Sequence, residues 1–181
     1  MEQTKKPQTI LTNDPSMTAW GWAVVDWNGN IIDVGCIKTA PDYKKKRIRK
    51  GDDTVRRVSE INHQLLRTIR RHNVVYVLSE LPHGSQNANA AIMIGVVVGI
   101  LQTICDVKKL GVEFFSEGDA KKHLLGKLSA TKQETIDEID SLYKVPWFGV
   151  KYKDEAVADA MAIYHVAQYQ SSALKLMKTG L

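Results

Sequence analysis

The sequence predicts an α/β fold: a five-stranded mixed sheet, three antiparallel strands plus two parallel ones, with helices on both faces. Three observations predict it. Short β-prone segments joined by turn residues fill positions 9–38. The near-continuous apolar run Val74, Val75, Tyr76, Val77, Leu78, Ser79 suits a parallel strand buried on both faces. Between them, Val55, Val58, Ile61, Leu65, Leu66 and Ile69 repeat at helical spacing.

Taken in order, residues 1–8 are polar and read as a flexible tail, with a single domain over 9–181. Thr9 to Asn13 is the first strand, and Asp14 stands at its end. Gly21 to Asp26 is the second, supported by Trp22, Val24 and Val25. Asn28-Gly29 predicts a two-residue hairpin turn into a third strand, Ile31 to Lys38. Residues 39–53 lack an apolar period and read as a loop with a helix start. Six of the seven residues Lys44, Lys45, Lys46, Arg47, Ile48, Arg49 and Lys50 are basic. Such a block repels itself unless an anion is near, which suits phosphate tracking. Asp53 to His72 is a helix, and Val74 to Ser79 is the fourth strand, ending at Glu80.

Pro82 and Gly84 mark a loop. Asn87 or Asn89 then caps a helix to about Lys108, apolar on most sides and therefore predicted to be buried. Its Gly95 and Gly99 share a face and would permit close packing against the sheet or a partner helix. Gly111 to Phe115 is the fifth strand. Ser116 opens a short helix through Leu125. Thr131 opens another to about Tyr143, with Ser129, Thr131 and Glu134 as capping material. A last helix runs from Lys153 or Asp154 to about Leu176. The order βββαβαβ, followed by helices, is that of a mixed sheet covered on both faces.

The chain has 181 residues and a net charge of +5, enough for one full core and modestly in favour of a polyanionic partner such as nucleic acid. Its two cysteines, Cys36 and Cys105, lie in apolar runs. They argue against a disulfide framework, lack zinc-ligand spacing, and suit buried, reduced thiols in a cytoplasmic protein. The run Ala88 to Cys105 is interrupted by Asn89, Gly95, Gly99 and Gln102, which argues against a membrane span. Trp20, Trp22, Trp27 and Trp147 are not interleaved with basic residues, so packing is their expected role.

The chemistry lies in the acids. Asp14 ends strand one and Glu80 ends strand four; ligand sites in open α/β sheets lie at the carboxyl ends of the strands. Far along the chain, Glu155 and Asp159 are four apart and share a helix face. Asp159 sits among Ala156, Ala160 and Ile163, where a charge is expensive unless paired or metal-bound. Each acid also fits a plainer role: a turn residue before Pro15, an exposed strand end, or charges favouring a helix N-terminus for Glu155 and Asp154. Together, carboxylates without a matching histidine or cysteine set suit Mg²⁺, with Mn²⁺ able to substitute. Two such ions, roughly 4 Å apart, would activate a water and stabilise a leaving oxygen in phosphodiester cleavage.

In the residues Asp14-Pro15-Ser16, Gly21-Trp22-Ala23-Val24, Gly35-Cys36-Ile37-Lys38-Thr39, Glu80 with Asn87, Ala88 and Gly95, and Ala158-Asp159-Ala160-Met161-Ala162, the chain resembles the RuvC-type Holliday junction resolvases of the RNase H-like superfamily, specifically their phage members. The likeness runs from about Thr9 to Gln168. It implies a homodimer in the cytoplasm (of the host, for a phage protein) that nicks two strands of a four-way or otherwise branched DNA symmetrically. Asp14, Glu80 and Asp159 match the family's metal-binding acids. The family's further acid or histidine, three residues before the last aspartate, falls on Ala156. Glu155 is taken in its place, with Asp154 in reserve. Thr12-Asn13 replace a family glycine-isoleucine. Lys121 and Lys132 match lysines that support DNA binding and catalysis, Lys122 adjoins them, and His83 falls where some relatives carry a junction-stacking aromatic. A broader branch or flap nuclease, and a DNA-binding module without catalysis, are the alternatives at this stage.

Overall fold

The computed structural model describes residues 6–42 and 48–179. Five strands form one sheet in the order β3-β2-β1-β4-β5. They are β1 (Thr9–Asp14), β2 (Ala19–Val25), β3 (Ile31–Lys38), β4 (Val74–Glu80) and β5 (Gly111–Phe115). The first three are antiparallel neighbours, while β1, β4 and β5 run parallel. The helices are α1 (Lys50–His72), α2 (Ala88–Lys108), α3 (Glu117–Leu125), α4 (Lys132–Tyr143), α5 (Lys151–Gln170) and α6 (Ser172–Lys178).

Alternation along the strands separates two cores. Ile10, Ala23, Val25 and Leu78 face α5, where Val157, Met161 and Ile163 pack with Ile139 of α4. Their sequence neighbours Leu11, Val24 and Val77 face the other way, onto Ile61 and Leu65 of α1 and Val97 and Leu101 of α2. A period of two is what divides consecutive apolar residues between two helical layers.

Several boundaries differ from the sequence expectation, each for a local reason. Strand β2 begins at Ala19, because Ala19 and Trp20 already pair with Lys38 and Ile37. The β2–β3 connection is longer than two residues. Asp26 accepts the Asn28 and Asn30 backbone N–H groups at 2.9 and 2.8 Å, and only Gly29 takes a positive φ, of 92°. Helix α1 starts at Lys50, bringing Asp52 and Asp53 into its first turn. The last predicted helix breaks at Ser171. That hydroxyl accepts the Leu174 N–H at 2.8 Å, capping α6, and donates to Glu113 on β5 at 2.7 Å.

Helix α2 is the largest correction. Only Val97, Leu101, Ile104 and Cys105 of its 21 residues are buried, while Ile92 is 59% and Val107 72% exposed. Among the described residues it is the one helix long and apolar enough, by length and composition, to cross a membrane. Its buried stripe packs in the α1 core instead. A Cβ added at Gly95 or Gly99 would meet nothing within 4 Å, so neither glycine serves packing within the chain. Cys36 is half-buried, not buried, and Cys105 is buried; both are free thiols. Trp20 is fully buried, and Trp22 lies across Gly35 on β3, in keeping with packing roles.

Candidate active site

Parallel pairing of β1 with β4 sets Asn13 beside Ser79, so the next residues, Asp14 and Glu80, emerge together at the strand ends. Helix α5 crosses above them. It comes so close to β2 at Gly21, the pairing partner of Asp14, that a Cβ there would lie 2.0 Å from the Ala156 carbonyl oxygen. Asp159, one turn further along α5, is thereby brought over the same strand ends.

Thr12 and Asn13, the departures before Asp14, are both fully buried and both hydrogen-bonded. The Thr12 hydroxyl donates to the Ala160 carbonyl at 2.5 Å, tying β1 to α5 beside Asp159. Asn13 faces the opposite layer, where its amide donates to the Leu78 carbonyl and its oxygen accepts the Trp20 indole N–H at 3.1 Å. The pair thus lock Asp14 to β4 on one side and to α5 on the other. The turn after Asp14 is held as well. Ser16 accepts the Thr18 N–H at 3.2 Å, and Arg57 of α1 donates to the Met17 carbonyl at 2.7 Å. Arg57 was not singled out from the sequence, where it is one of several arginines on an amphipathic helix.

Electrostatics define the site's membership. Burial raises the Asp14 pKa well above the usual carboxylate range, and the charges of Asp159 and Glu80 raise it further. Glu80 is pushed up to about 7 by burial, then by the charges of Glu117 and Asp159. Burial also raises Asp159, and Lys132 partly offsets it. Lys132 pairs directly with Asp159. Burial disfavours its ammonium, but the Asp159 carboxylate outweighs that, and the lysine pKa rises. Lys121 pairs with Glu117 one turn before it, which holds the Glu117 pKa down against partial burial.

Glu117 was not foreseen, although the rule that found Asp14 and Glu80 reaches it. It lies two residues beyond the end of β5, the third parallel strand. The other expected residues divide. Asp154 is buried with its carboxylate on the Phe148 backbone N–H at 2.8 Å, so it serves the loop before α5. Glu155 lines an open groove with Lys132, Gln133, Trp147 and Lys151. His83 is exposed and acts electrostatically on Glu117, which sets it at the rim. Lys122 is exposed on α3. Arg49 pairs with Asp52, and Lys50 donates to Asn89. Lys44, Lys45, Lys46 and Arg47 lie outside the described residues.

Among the described residues, no three His, Cys, Asp or Glu side chains stand close enough, as they lie, to enclose an ion. The positive charge among these acids comes from Lys132 and Lys121. The donor set nevertheless fits a hard divalent cation: oxygen donors only, buried, with each carboxyl pKa raised first by burial and then by neighbouring negative charge, which a cation would offset.

The family model described as crossover junction endodeoxyribonuclease RuvC matches residues 10–167. The RuvC of Ehrlichia ruminantium (strain Gardel) is 24% identical over 163 residues, covering 87% of this chain and 95% of that protein. The RuvC of Shewanella woodyi is 28% identical over 168 residues, covering 90% and 88%. Among solved structures, Thermus thermophilus RuvC in complex with a Holliday junction substrate superposes with a TM-score of 0.70 at 18% identity, covering 89% of this chain and 95% of that one. The yeast mitochondrial Holliday junction resolvase Ydc2 gives 0.63 at 11% identity, covering 99% and 85%.

Proposed function

The chain belongs to the RuvC family of crossover junction endodeoxyribonucleases, and from that premise we propose that it resolves four-way and related branched DNA by paired, metal-dependent nicking. The supporting observation is the convergence of Asp14, Glu80 and Asp159 at the parallel strand ends, with Lys132 and Lys121 paired into the same cluster. Residues 9–181 form one RNase H-like nuclease domain in this reading. Its work belongs in the cytoplasm, or the host cytoplasm for a phage-encoded copy.

Asp14, Glu80 and Asp159 would hold Mg²⁺, or Mn²⁺ in its place, in a two-ion arrangement. The metal supplies Lewis acidity at the scissile phosphate and a lowered pKa for the attacking water. The protein's own contribution is charge and position. Burial under α5 removes water from the carboxylates and strengthens their hold on a cation. A cation held by Asp159 would take the place of the Lys132 ammonium there, and Lys132, together with Lys121, would offset the charge that develops at the phosphate. His83 and Lys122 extend the contact along the DNA. Lys44, Lys45, Lys46, Arg47, Arg49 and Lys50 add backbone affinity that falls steeply with salt.

Protons compete with the metal at Glu80. With its pKa at about 7, metal affinity should climb as pH rises through 7, by up to about tenfold per unit below that value. The same shift fixes the sign for the metal-free fold. Unfolding returns Glu80 to about 4.5, so between about 4.5 and 7 the folded protein holds the extra proton and stability falls as pH rises. Glu80→Gln should remove Glu80's share of that decline, leaving the share of Asp14 and Asp159, and gain on the order of 3 kcal/mol at pH 8. Thermal melts of both proteins across pH in chelator check this; a parallel decline in the variant contradicts it.

Paired nicking calls for two copies. Helix α2 supports a homodimer, since it leaves a long apolar face in water. Ile92, Gly95 and Gly99 all lie on the exposed side. Each exposed glycine costs the helix about 1 kcal/mol relative to alanine, which close approach of a partner helix would offset. Ile92→Asp combined with Gly99→Glu should weaken self-association by about 100-fold without changing the far-ultraviolet spectrum. Sedimentation velocity reads this, and an unchanged dimer contradicts it.

The test of the function is cleavage of synthetic four-way junctions, forks and duplexes with Mg²⁺, Mn²⁺ or neither. Symmetric paired nicks in the junction are expected. Single nicks on forks and flaps would indicate a broader branch nuclease, and intact junction binding without cleavage in either metal would mark a binding module.

A further inference from the structure

We propose that Glu117 is the fourth metal-holding carboxylate of this site, in place of both position 156 and Glu155. The inference rests on the metal-nuclease reading above and adds a residue to it. Its basis is position. Glu80 pairs with Phe115 in the sheet, and the Leu81 N–H donates to the Phe115 carbonyl at 2.8 Å, so β4 and β5 end level. Ser116 then accepts the Asp119 N–H at 3.0 Å, which fixes the start of α3 and makes Glu117 its first residue. Asp119 itself is exposed and hydrogen-bonded back to Ser116. The three parallel strands thus each deliver one carboxylate to the same edge: Asp14, Glu80 and Glu117.

Position 156 has no acid to offer. Ala156 is buried, and its backbone carbonyl crowds Gly21. Glu155 opens onto the groove with Lys151 and Trp147. Glu117 acts on every acid of the cluster: its charge is felt by Asp14, Glu80 and Asp159 alike. Its ion pair with Lys121 mirrors that of Asp159 with Lys132. Each of these two acids is therefore matched by one ammonium that a cation would displace toward the phosphate.

The test is Mn²⁺ binding to the DNA-free protein, followed by electron paramagnetic resonance of the free ion, for wild type, Glu117→Gln, Glu117→Ala, Glu155→Gln and Asp14→Asn. Circular dichroism checks that each is folded. Both Glu117 variants should bind Mn²⁺ about tenfold more weakly or worse, with Glu155→Gln within about twofold of wild type. The alanine variant covers the case in which a glutamine amide itself coordinates. If Asp14→Asn loses Mn²⁺ while both Glu117 variants retain it, Glu117 is not a ligand and the metal-site reading stands. Glu117 variants that cut DNA poorly at unchanged Mn²⁺ affinity would also overturn the proposal, leaving Glu117 to position Lys121. If Asp14→Asn binds Mn²⁺ as wild type does, the metal-site reading itself fails.

Discussion

Asp14→Asn is expected to lower junction cleavage by about 10³-fold or more, while junction binding persists and the fold becomes more stable. The carboxylate sits at the end of a central strand, buried, with its pKa raised first by that burial and then by Asp159 and Glu80. An amide keeps the shape and removes the charge. Without a cation, that charge opposes the fold, so its loss should raise the melting temperature above neutral pH. If that charge holds a cation, as proposed above, its loss should stop the chemistry. Opposite signs for stability and activity are the mark of a functional carboxylate, and a purely structural turn residue before Pro15 would move both the same way. Cleavage rates and melting curves of the variant in chelator decide between them.

Gly21→Val should be the most damaging substitution outside the acids. A Cβ at position 21 would sit 2.0 Å from the Ala156 carbonyl oxygen and 2.3 Å from its carbon. These are backbone atoms of a buried helix, so α5 must shift as a body. The expected cost is about 3 kcal/mol or more, or roughly 10 °C in melting temperature. The shift carries Asp159 away from Asp14, and a misplacement of about 1 Å at a reacting centre can cost about 10²-fold in rate. Gly99→Ala is the contrast, since nothing lies within 4 Å of its Cβ position. It should be neutral or slightly stabilising in the monomer. Equal damage from both substitutions would show that α5 does not depend on Gly21 for its seat.

Which features could be read in advance follows from how local their causes are. The strand ends carrying Asp14 and Glu80 were legible because an apolar run stopping at a carboxylate is a signal within a few residues. The caps at Ser116 and Thr131 were legible for the same reason. Helix α2 misled, because an apolar helix looks alike whether its second face meets the chain's own core or lies open. Ser171 misled because the break depends on Glu113, 58 residues away. Thr12 and Asn13 had no account in the sequence alone, since their partners Ala160 and Leu78 are 148 and 65 residues distant. Glu117 was passed over because it opens a helix, where an acid has an ordinary use.

Cleavage of a supercoiled plasmid carrying an extruded four-way junction tests the central claim most directly. With Mg²⁺, wild type should give linear product from paired nicks across the junction, and Asp14→Asn should give none. Linear product from Asp14→Asn, or only singly nicked circles from wild type, would contradict it.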